Sequence, residues 1–506
     1  MTDVQSIDPR TGQPVEVVTR ETTPDEVDRL AHAAALAAPG LDTLGRDGRG
    51  ALLRALADGL EARRADIVGT ADRETALGVT RLNGELTRTC YQFRLFAEVL
   101  EEGSYLEAAI DHAGDSPMGP RPDLRRMLVP LGPVAVFGAS NFPLAFSVPG
   151  GDTASALAAG SPVVVKAHGA HPATSQLCFD VMSAAAAAAG APAGTLGVVH
   201  GVEAGVALVQ HPAIRAVGFT GSLAGGQAIV RLIDARPDPI PFYGELSSLN
   251  PVVVTSGAAV GRAEEIGRGL GGSMTLGSGQ FCTKPGLAFV PVGPAGDRLI
   301  EAMSEFFDGV EPHVLLSERI ARSYAEDTDR LASTPGMTTA ARGGPARGVG
   351  YEAVPLLLSV DAGTLPRVAH EEVFGPVAVV ARYADEAELL TALDGLPASL
   401  TMTVHTGAGH SDLTPAIVRV LGSRSGRLLF NGYPTGVAVT WAQHHGGPWP
   451  STNTAHTSVG TSAIRRFLRP VAWQSAPREL LPVELRDEEP GIPRRVDGVL
   501  VLPARS

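Results

Sequence analysis

Between residues 133 and 221 the chain alternates short apolar runs with alanine-rich helical segments. The apolar runs are PVAVFGA, SPVVVKA, GTLGVVHG and AIRAVGFTG. Strands that alternate with helices predict βαβ crossovers, and a buried parallel strand is apolar almost continuously, as residues 163–165 and 252–254 are. A second stretch of the same kind begins near residue 258. We therefore predict an α/β fold with a parallel, doubly wound sheet.

Two other regions have different sequence patterns. Residues 24–112 have apolar positions at i, i+3 and i+4, which predicts amphipathic helices. Residues 332–349, ASTPGMTTAARGGPARGV, are rich in glycine, proline and alanine, and we expect them to form a surface excursion. The length of 506 residues favours two or three domains.

The charge balance and the cysteines exclude several classes of protein. Lys and Arg total 41 against 54 Asp and Glu, a formal charge of −13, so we expect neither nucleic acid nor an anionic membrane as a partner. The N-terminus, MTDVQSIDPRTG, has no signal-peptide pattern, which favours a cytoplasmic location. Three single cysteines support no disulfide or zinc site, and the adjacent His444 and His445 offer no i, i+4 metal pair.

Cys282 lies in the glycine-rich segment GSGQFCTKPG. A lone cysteine is commonly an inert, buried residue. Glycines around Cys282 leave the backbone accessible, however, so that amide N–H groups could point at a substrate oxygen. Cys90 and Cys178 lie in helical patterns, and we expect both in the core.

Two polar residues could assist such a nucleophile. Asn141 follows the strand PVAVFGA, where ligands gather in open α/β sheets, and could bind an oxyanion; it could equally be a turn residue. Glu245 lies among apolar and small residues between two predicted strands. Burial would raise its pKa and make it a general base, whereas a solvated carboxylate at a strand end is the alternative.

Three further residues suggest a ligand with phosphate or hydroxyl groups. Lys166 ends the run PVVVKA and either meets such a ligand or extends to the surface. Gly221 and Ser222 lie between a strand and a helix, so that free amides at the helix N-terminus could hold a phosphate. The spacing there is not GxGxxG, and no ordinary dinucleotide fingerprint occurs.

Taken together, six segments resemble the aldehyde dehydrogenase family. They occur in that family's order over about 240 residues, and the similarity covers most of the chain: SNFPL at 140–144, PVVVKAH at 162–168, FTGS at 219–222, GEL at 244–246, GQFC at 279–282 and EVFGP at 372–376. The resemblance implies the aldehyde dehydrogenase fold, with a Rossmann-like coenzyme domain, an α/β catalytic domain and a small β oligomerisation element.

The resemblance also implies roles for individual residues. Cys282 would be the thiolate nucleophile, Asn141 with the Cys282 amide the oxyanion hole, and Glu245 the base that activates the hydrolytic water. The implied cofactor contacts are Lys166 to the adenosine ribose, Gly221, Ser222 and neighbouring amides to the pyrophosphate, Glu372 to the nicotinamide ribose, and Phe374 beside the nicotinamide ring.

Within the family, departures at Ser140, Ser247 and Ser248 and a long tail resemble one branch. That branch contains the 2-oxoglutarate semialdehyde (2,5-dioxovalerate) dehydrogenases and the NADP-dependent long-chain fatty aldehyde dehydrogenases. We predict oxidation of 2-oxoglutarate semialdehyde, with a fatty aldehyde as the alternative. A cysteine esterase or thioesterase that uses no nicotinamide is the alternative from a different class.

The cofactor choice and the substrate contacts are narrower predictions. Many family members have an acidic residue where this chain has Gly169, and with His168 and Lys166 close by we expect NADP, with NAD also accepted. An anionic substrate needs a cationic or amide-rich pocket. Gln280, Arg125 and Arg126 are candidates for it, and no sequence argument selects among them.

The resemblance implies three segments. Residues 1–250 would form the coenzyme domain, with an oligomerisation hairpin at about 113–131. Residues 251–440 would form the catalytic domain. Residues 441–506 would return to the coenzyme domain and end in an oligomerisation segment, whose apolar residues predict burial in a homodimer or homotetramer.

Overall fold

The computed structural model describes residues 2–488 and 491–503. Residues 1, 489–490 and 504–506, which belong to the first and last predicted segments, lie outside the described residues. The α-helices are α1 (Pro24–Thr43), α2 (Gly45–Ala62), α3 (Arg64–Thr75), α4 (Val79–Glu102), α5 (Gly151–Ala159), α6 (Pro172–Ala188), α7 (Val202–Gln210), α8 (Leu223–Asp234), α9 (Ser256–Thr275), α10 (Pro294–Asp308), α11 (Glu318–Ala332), α12 (Glu386–Asp394) and α13 (Pro415–Ser423).

The strands are distributed over the whole described chain. They are β1 (Asp3–Asp8), β2 (Gln13–Arg20), β3 (Ala109–Asp111), β4 (Gly114–Ser116), β5 (Gly119–Arg121), β6 (Leu124–Pro130), β7 (Val134–Phe137), β8 (Val163–Lys166), β9 (Leu196–Val199), β10 (Ala216–Thr220), β11 (Phe242–Glu245), β12 (Val252–Val254), β13 (Leu287–Pro291), β14 (His313–Val314), β15 (Thr338–Arg342), β16 (Glu352–Ala353), β17 (Leu356–Asp361), β18 (Val377–Tyr383), β19 (Ser399–His405), β20 (Ser425–Phe430), β21 (Leu468–Gln474), β22 (Arg494–Val496) and β23 (Val499–Val501).

A parallel sheet with the order β11-β10-β7-β8-β9 forms the first layer. Successive residues of its strands face opposite sides. Val163 and Val165 join a core with helices α2, α4 and α6, whereas Val164 joins a core with α1, α7 and α8. Helices therefore cover both faces, and the α/β prediction is confirmed.

A second sheet has the order β15-β17-β18-β13-β12-β19-β20. Its strands run parallel except for β15, which pairs antiparallel with β17 at the edge. Part of the segment predicted as a surface excursion, residues 332–349, is thus a strand of this sheet, and that prediction was wrong there. Residues 252–254 alternate between two cores, as expected for a strand buried on both faces.

A third sheet joins distant parts of the chain in the order β21-β6-β3-β22-β23. It contains part of the predicted hairpin region and the C-terminal segment, because β6 pairs antiparallel with β21 over its whole length. Strand β23 lies at one edge, and Val499, Leu500 and Val501 are all exposed.

Candidate active site

The carboxyl ends of neighbouring parallel strands meet at one edge of the first sheet. Strand β8 ends at Lys166, β10 ends one residue before Gly221, and β11 ends at Glu245, while Asn141 follows β7 by four residues. Open α/β sheets place their ligands at this edge. The topology therefore collects most of the predicted site residues in one place.

The loop that carries Cys282 follows α9 and turns sharply. Gly277, Ser278 and Gly279 all have left-handed backbone, with φ of 57°, 64° and 64°. A Cβ atom at Gly279 would lie 2.2 Å from the carbonyl oxygen of Gly375, so only glycine fits there. The nucleophile loop consequently packs directly against the loop that carries Glu372 and Phe374.

Asn250 fixes the other side of the same loop. Its Nδ2 atom donates hydrogen bonds to the carbonyl oxygens of Cys282, at 2.8 Å, and Lys284, at 3.1 Å. Its Oδ1 atom accepts a hydrogen bond from Ser248 Oγ at 2.7 Å. Because Asn250 is fully buried, these bonds hold the backbone at Cys282 in one position.

Cys282, Glu245 and His445 form a compact cluster. Nε2 of His445 lies 2.9 Å from Oε1 of Glu245 and 3.6 Å from Sγ of Cys282. The other carboxylate oxygen of Glu245 accepts a hydrogen bond from Ser458 Oγ at 2.5 Å. A carboxylate can only accept hydrogen bonds, so the contact between His445 and Glu245 requires the hydrogen on Nε2.

These contacts reverse the predicted direction of the pKa shift of Glu245. Burial of the carboxylate opposes its ionisation, as the sequence predicted. The charge and hydrogen bond of His445, together with hydrogen bonds from Ser458 and Cys282, nevertheless hold the pKa of Glu245 below its ordinary value. The prediction of a raised pKa was wrong, because the donors come from a segment about 200 residues later in the chain.

The thiols of the protein have unequal surroundings. Burial and, next, the charge of Glu245 raise the pKa of Cys282 well above its ordinary value. Burial also raises the pKa of Cys90, to about 12, and the pKa of Cys178. Cys90 and Cys178 are fully buried in the core around α2 and α4, as predicted, whereas Cys282 is partly accessible.

Asn141 lies against the nucleophile loop. Its Nδ2 atom donates to the carbonyl oxygen of Gln280 at 2.7 Å, and a second hydrogen on Nδ2 remains for another acceptor. Within residues 2–488 and 491–503, the backbone N–H of Cys282 has no hydrogen-bond acceptor. The Asn141 amide and the Cys282 N–H are therefore two donors at this loop that can each accept one more partner, such as an oxyanion.

The residues predicted to bind the cofactor surround an accessible helix end. Ser222 caps α8 by accepting a hydrogen bond from Gly225 N at 3.2 Å. Gly221 and Ser222 are exposed. Gly221 N donates to the carbonyl oxygen of Glu245 at 3.0 Å and Leu223 N to Ser247 Oγ at 3.2 Å, which leaves the N–H of Ser222 without an acceptor within the described part of the chain. A helix N-terminus of this kind accepts a phosphate.

The adenosine end of the predicted site is cationic and open. A Cβ atom at Gly169 would meet no atom within 4 Å. Burial and the charge of Arg319 lower the pKa of Lys166. Burial, His171, Lys166 and Arg319 lower the pKa of His168 well below its ordinary value, so His168 is neutral at neutral pH and Lys166 and Arg319 are the cations near it.

Glu372 and Phe374 lie in the loop that closes over the nucleophile segment. The Glu372 carboxylate accepts a hydrogen bond from Ser248 N at 3.1 Å, and burial raises its pKa to about 7. Lys284 stabilises the loop by donating hydrogen bonds to the carbonyl oxygens of Val373, at 2.8 Å, and Val377, at 2.9 Å. Burial lowers the pKa of Lys284 to about 8.

The structure places two of the three predicted substrate residues away from Cys282. Arg125, on β6 of the third sheet, binds Asp123 at 2.9 Å and Asp487 at 2.7 Å, and Arg126 is exposed on the same strand. The side-chain oxygen of Gln280 accepts a hydrogen bond from Leu316 N at 3.1 Å. Arg125 and Arg126 therefore lie in the third sheet, which corrects their predicted substrate contacts. Gln280 stays on the nucleophile loop, its buried Nε2 has no hydrogen-bond partner within the described residues, and its substrate contact stays a prediction.

Sequence reasoning missed His445 and Ser458, the two partners of Glu245. His445 was considered only as half of a metal pair with His444. Nothing in the spacing relates residue 445 to residue 282.

The same cluster has the geometry of a metal site, although the sequence predicted none. Ligand atoms of Glu245, Cys282 and His445 lie within 4.8 Å of one another, as do those of Asp28, His32 and His211. The second cluster is largely exposed, and exposed acidic groups are common in proteins without a bound ion.

Across the described ranges, no helix combines the length and apolarity needed to span a membrane.

Known proteins resemble the chain over most of its length. Residues 1–470 match the model of the aldehyde dehydrogenase family. The α-ketoglutaric semialdehyde dehydrogenase 2 of Azospirillum brasilense is 44% identical over 98% of this chain and 96% of its own. The α-ketoglutaric semialdehyde dehydrogenase of Acinetobacter baylyi is 42% identical over 98% of this chain and 95% of its own.

A solved structure agrees in fold. The NAD⁺ complex of an aldehyde dehydrogenase from Bacillus cereus superposes with a TM-score of 0.79 at 20% identity, covering 94% of this chain and 93% of the other. The family match, the two relatives and this superposition agree with the six sequence segments. The chain belongs to the aldehyde dehydrogenase family.

Proposed function

We propose that this enzyme oxidises 2-oxoglutarate semialdehyde to 2-oxoglutarate through a thioester on Cys282. The names and full-length identity of the two curated relatives support the substrate. The observation that carries the chemistry is the contact of His445 with both Glu245 and Cys282. This places a nucleophile, a carboxylate base and a shared hydrogen-bond donor in one cluster.

Attack on the aldehyde begins with removal of the thiol proton. At neutral pH the thiol of Cys282 is protonated, because its pKa is raised by burial and by Glu245. Glu245 is ionised, and its oxygen lies within 4.8 Å of the sulfur, so it is the proton acceptor. The Nε2–H of His445 lies between the two and stabilises negative charge on the sulfur as the proton leaves.

The sulfur then bonds to the carbonyl carbon, and negative charge develops on the former aldehyde oxygen. The second Nδ2 hydrogen of Asn141 and the N–H of Cys282 are the two donors for that oxyanion. Preorganised donors of this kind contribute more than groups that must reorient during the reaction. The anion collapses to a thioester on Cys282 as the hydrogen leaves with its electron pair.

The aldehyde dehydrogenase family uses NAD(P), which when bound supplies the hydride acceptor. The open position at Gly169 and the exposed Ser222 amide at the N-terminus of α8 fit such a group. Lys166 and Glu372 would hold its two riboses. We propose NADP as the preferred form, because the space at Gly169 and the charges near Lys166 suit a 2′-phosphate.

Hydrolysis of the thioester releases the acid and restores the thiol. Water adds to the thioester carbon, and Glu245 accepts the proton of that water. Because its pKa lies below the ordinary value, Glu245 is in the basic form across the neutral range. His445 and Ser458 orient the carboxylate throughout.

Steady-state kinetics test the substrate. We expect kcat/KM with NADP to be higher for 2-oxoglutarate semialdehyde than for decanal, and a strong preference for decanal would instead identify a fatty aldehyde dehydrogenase. The Cys282→Ala variant should lose NADPH production. Cys90→Ala is its matched control, because Cys90 is a buried core thiol.

A fluorescence titration separates this reaction from that of a cysteine esterase or thioesterase. The proposed enzyme binds NADPH with quenching of protein emission or enhancement of nucleotide emission. Absence of binding, combined with ester hydrolysis that depends on Cys282, would support the hydrolase.

We also propose the predicted division into three segments and a homo-oligomer. The first sheet lies within residues 1–250, the second within 251–440, and the third combines part of the hairpin region with the C-terminal segment. The exposed apolar edge at β23 is the surface that supports assembly.

A further inference from the structure

One face of α4 presents charged side chains to the loop that carries Asn141. Arg81, Glu85 and Arg88 are spaced i, i+4 and i+7 and so share a face. Glu85 Oε1 accepts hydrogen bonds from two backbone N–H groups of that loop, at 2.8 and 2.9 Å. Arg81 Nη2 donates to the carbonyl oxygen of Asn141 at 2.7 Å. Arg81 therefore contacts the backbone of the predicted oxyanion donor, and Arg88 lies about two helical turns further along the same face.

Both guanidinium groups stack on aromatic rings next to the nucleophile. The Cζ atom of Arg81 lies 4.6 Å from the ring centre of Phe281 and 5.1 Å from that of Phe142. The Cζ atom of Arg88 lies 5.1 Å from the ring centre of Phe146. Since Phe281 directly precedes Cys282, Arg81 lies on the same wall as the reactive sulfur. Arg88 extends that wall through Phe146, whose ring centre lies 5.4 Å from that of Phe142.

Several donors on these arginines are buried without an acceptor. Among residues 2–488 and 491–503, Nε and Nη1 of Arg81 and Nη1 of Arg88 have no hydrogen-bond partner. Burial lowers the pKa of both arginines. Unpaired, buried guanidinium donors are costly, and a bound anion would complete their hydrogen bonding.

We infer that Arg81 and Arg88 bind the carboxylate at the 2-oxo acid end of the substrate, an inference that rests on the proposed function. A guanidinium group presents parallel donors that match a carboxylate. In the semialdehyde, four carbon–carbon bonds of about 1.5 Å separate the reacting carbon from the carboxylate carbon, a span of about 5 Å. A substrate held at Cys282 thus extends along the wall formed by Phe281 and the stacked arginines.

The same pair disfavours a long alkyl chain. An alkyl tail would cover the unpaired donors and supply no acceptor, which leaves their desolvation uncompensated. The two arginines therefore favour the semialdehyde over a fatty aldehyde in two ways. They form hydrogen bonds with its carboxylate, and an alkyl chain leaves their desolvation uncompensated.

Arg88→Met is the decisive variant, because Arg88 makes no side-chain hydrogen bond within the described part of the chain. The test compares kcat/KM for 2-oxoglutarate semialdehyde and for pentanal, a neutral aldehyde with the same number of carbons. We expect a loss of about 10- to 100-fold for the semialdehyde, mainly through KM, and no loss for pentanal. Arg81→Met should show the same selectivity, and Arg88→Lys should restore part of the lost activity.

The matched control is Arg94→Met, on the same helix. Arg94 forms an ion pair with Asp58 at 2.7 Å, outside the proposed site, and its variant should resemble the wild type with both substrates. Calorimetry of 2-oxoglutarate binding gives a second readout, which Arg88→Met should weaken to the same degree.

Three results would count against the inference or the function beneath it. Equal losses for both aldehydes in Arg88→Met would mean a structural role and overturn the inference. Wild-type preference for the semialdehyde that survives in both methionine variants would overturn the inference alone. Preference of the wild type for decanal would overturn the proposed function.

Discussion

His445 donates a hydrogen bond from Nε2 to the carboxylate of Glu245 across 2.9 Å, and the same atom lies 3.6 Å from the sulfur of Cys282. One imidazole hydrogen therefore lies between the base and the nucleophile. The relationship explains why the Glu245 carboxylate stays ionised although it is buried. It also makes His445 the residue whose removal most directly tests the proposed mechanism.

Replacing His445 with alanine should lower kcat/KM by about 10- to 100-fold, because the loss of a hydrogen bond to a charged group costs about 1.5–3 kcal/mol. The neighbouring His444→Ala variant is the control, since His444 is only half-buried and should behave like the wild type. NADPH binding, followed by fluorescence, should be unchanged in both variants and reports that the fold is intact. Wild-type rates in His445→Ala would limit His445 to a packing role.

The thiol of Cys282 should react with iodoacetamide slowly at neutral pH, at a rate that still rises with pH beyond the ordinary thiol pKa of about 8.5, because burial and Glu245 raise the pKa of Cys282. Glu245→Gln removes the negative charge and should lower the pKa of Cys282. Each unit of that decrease multiplies the thiolate fraction at about pH 8 by about ten. Glu245→Gln should thus be alkylated faster while it produces less NADPH. Mass spectrometry locates the adduct, and slower alkylation would contradict the assigned cause.

Much of the fold follows from local pattern. Residues 163–165 and 252–254 are continuous β-branched runs, and the structure buries both in parallel sheets. Parallel strands with their carboxyl ends at one edge then bring Lys166 and Glu245 toward the same site. The segment 332–349 has no such run, so the edge strand β15 within it could not be predicted.

The rest of the site depends on contacts between distant segments. The pKa of Glu245 reverses direction because of donors at His445 and Ser458, which no local pattern connects to it. Arg125 lies shortly before β7, which makes it a substrate candidate by sequence. Its strand instead pairs with the C-terminal segment, which takes it out of the site.

The exposed strand β23 should mediate assembly. Leu500→Glu places a charge among apolar residues at the edge of the third sheet, where Leu500 is 57% exposed, and should shift the protein to smaller species in analytical ultracentrifugation. Leu36→Glu, on α1 at 82% exposure, is the matched control and should leave the mass unchanged. A monomeric wild type, or an unchanged mass in Leu500→Glu, would place the subunit contact elsewhere.

Gly169 offers the sharpest test of cofactor choice. A glutamate there has room for its side chain, since a Cβ atom meets nothing within 4 Å, and its charge would repel a 2′-phosphate while accepting hydrogen bonds from a 2′-hydroxyl. We expect Gly169→Glu to weaken NADPH binding by about tenfold or more and to preserve or strengthen NADH binding, as measured by fluorescence titration. Gly169→Ala adds bulk without charge and should match the wild type with both nucleotides. If Gly169→Glu weakened the binding of both nucleotides equally, the effect would be steric. If the wild type bound NADH more strongly than NADPH, the NADP preference would be refuted, because the open position would then not select for the phosphate.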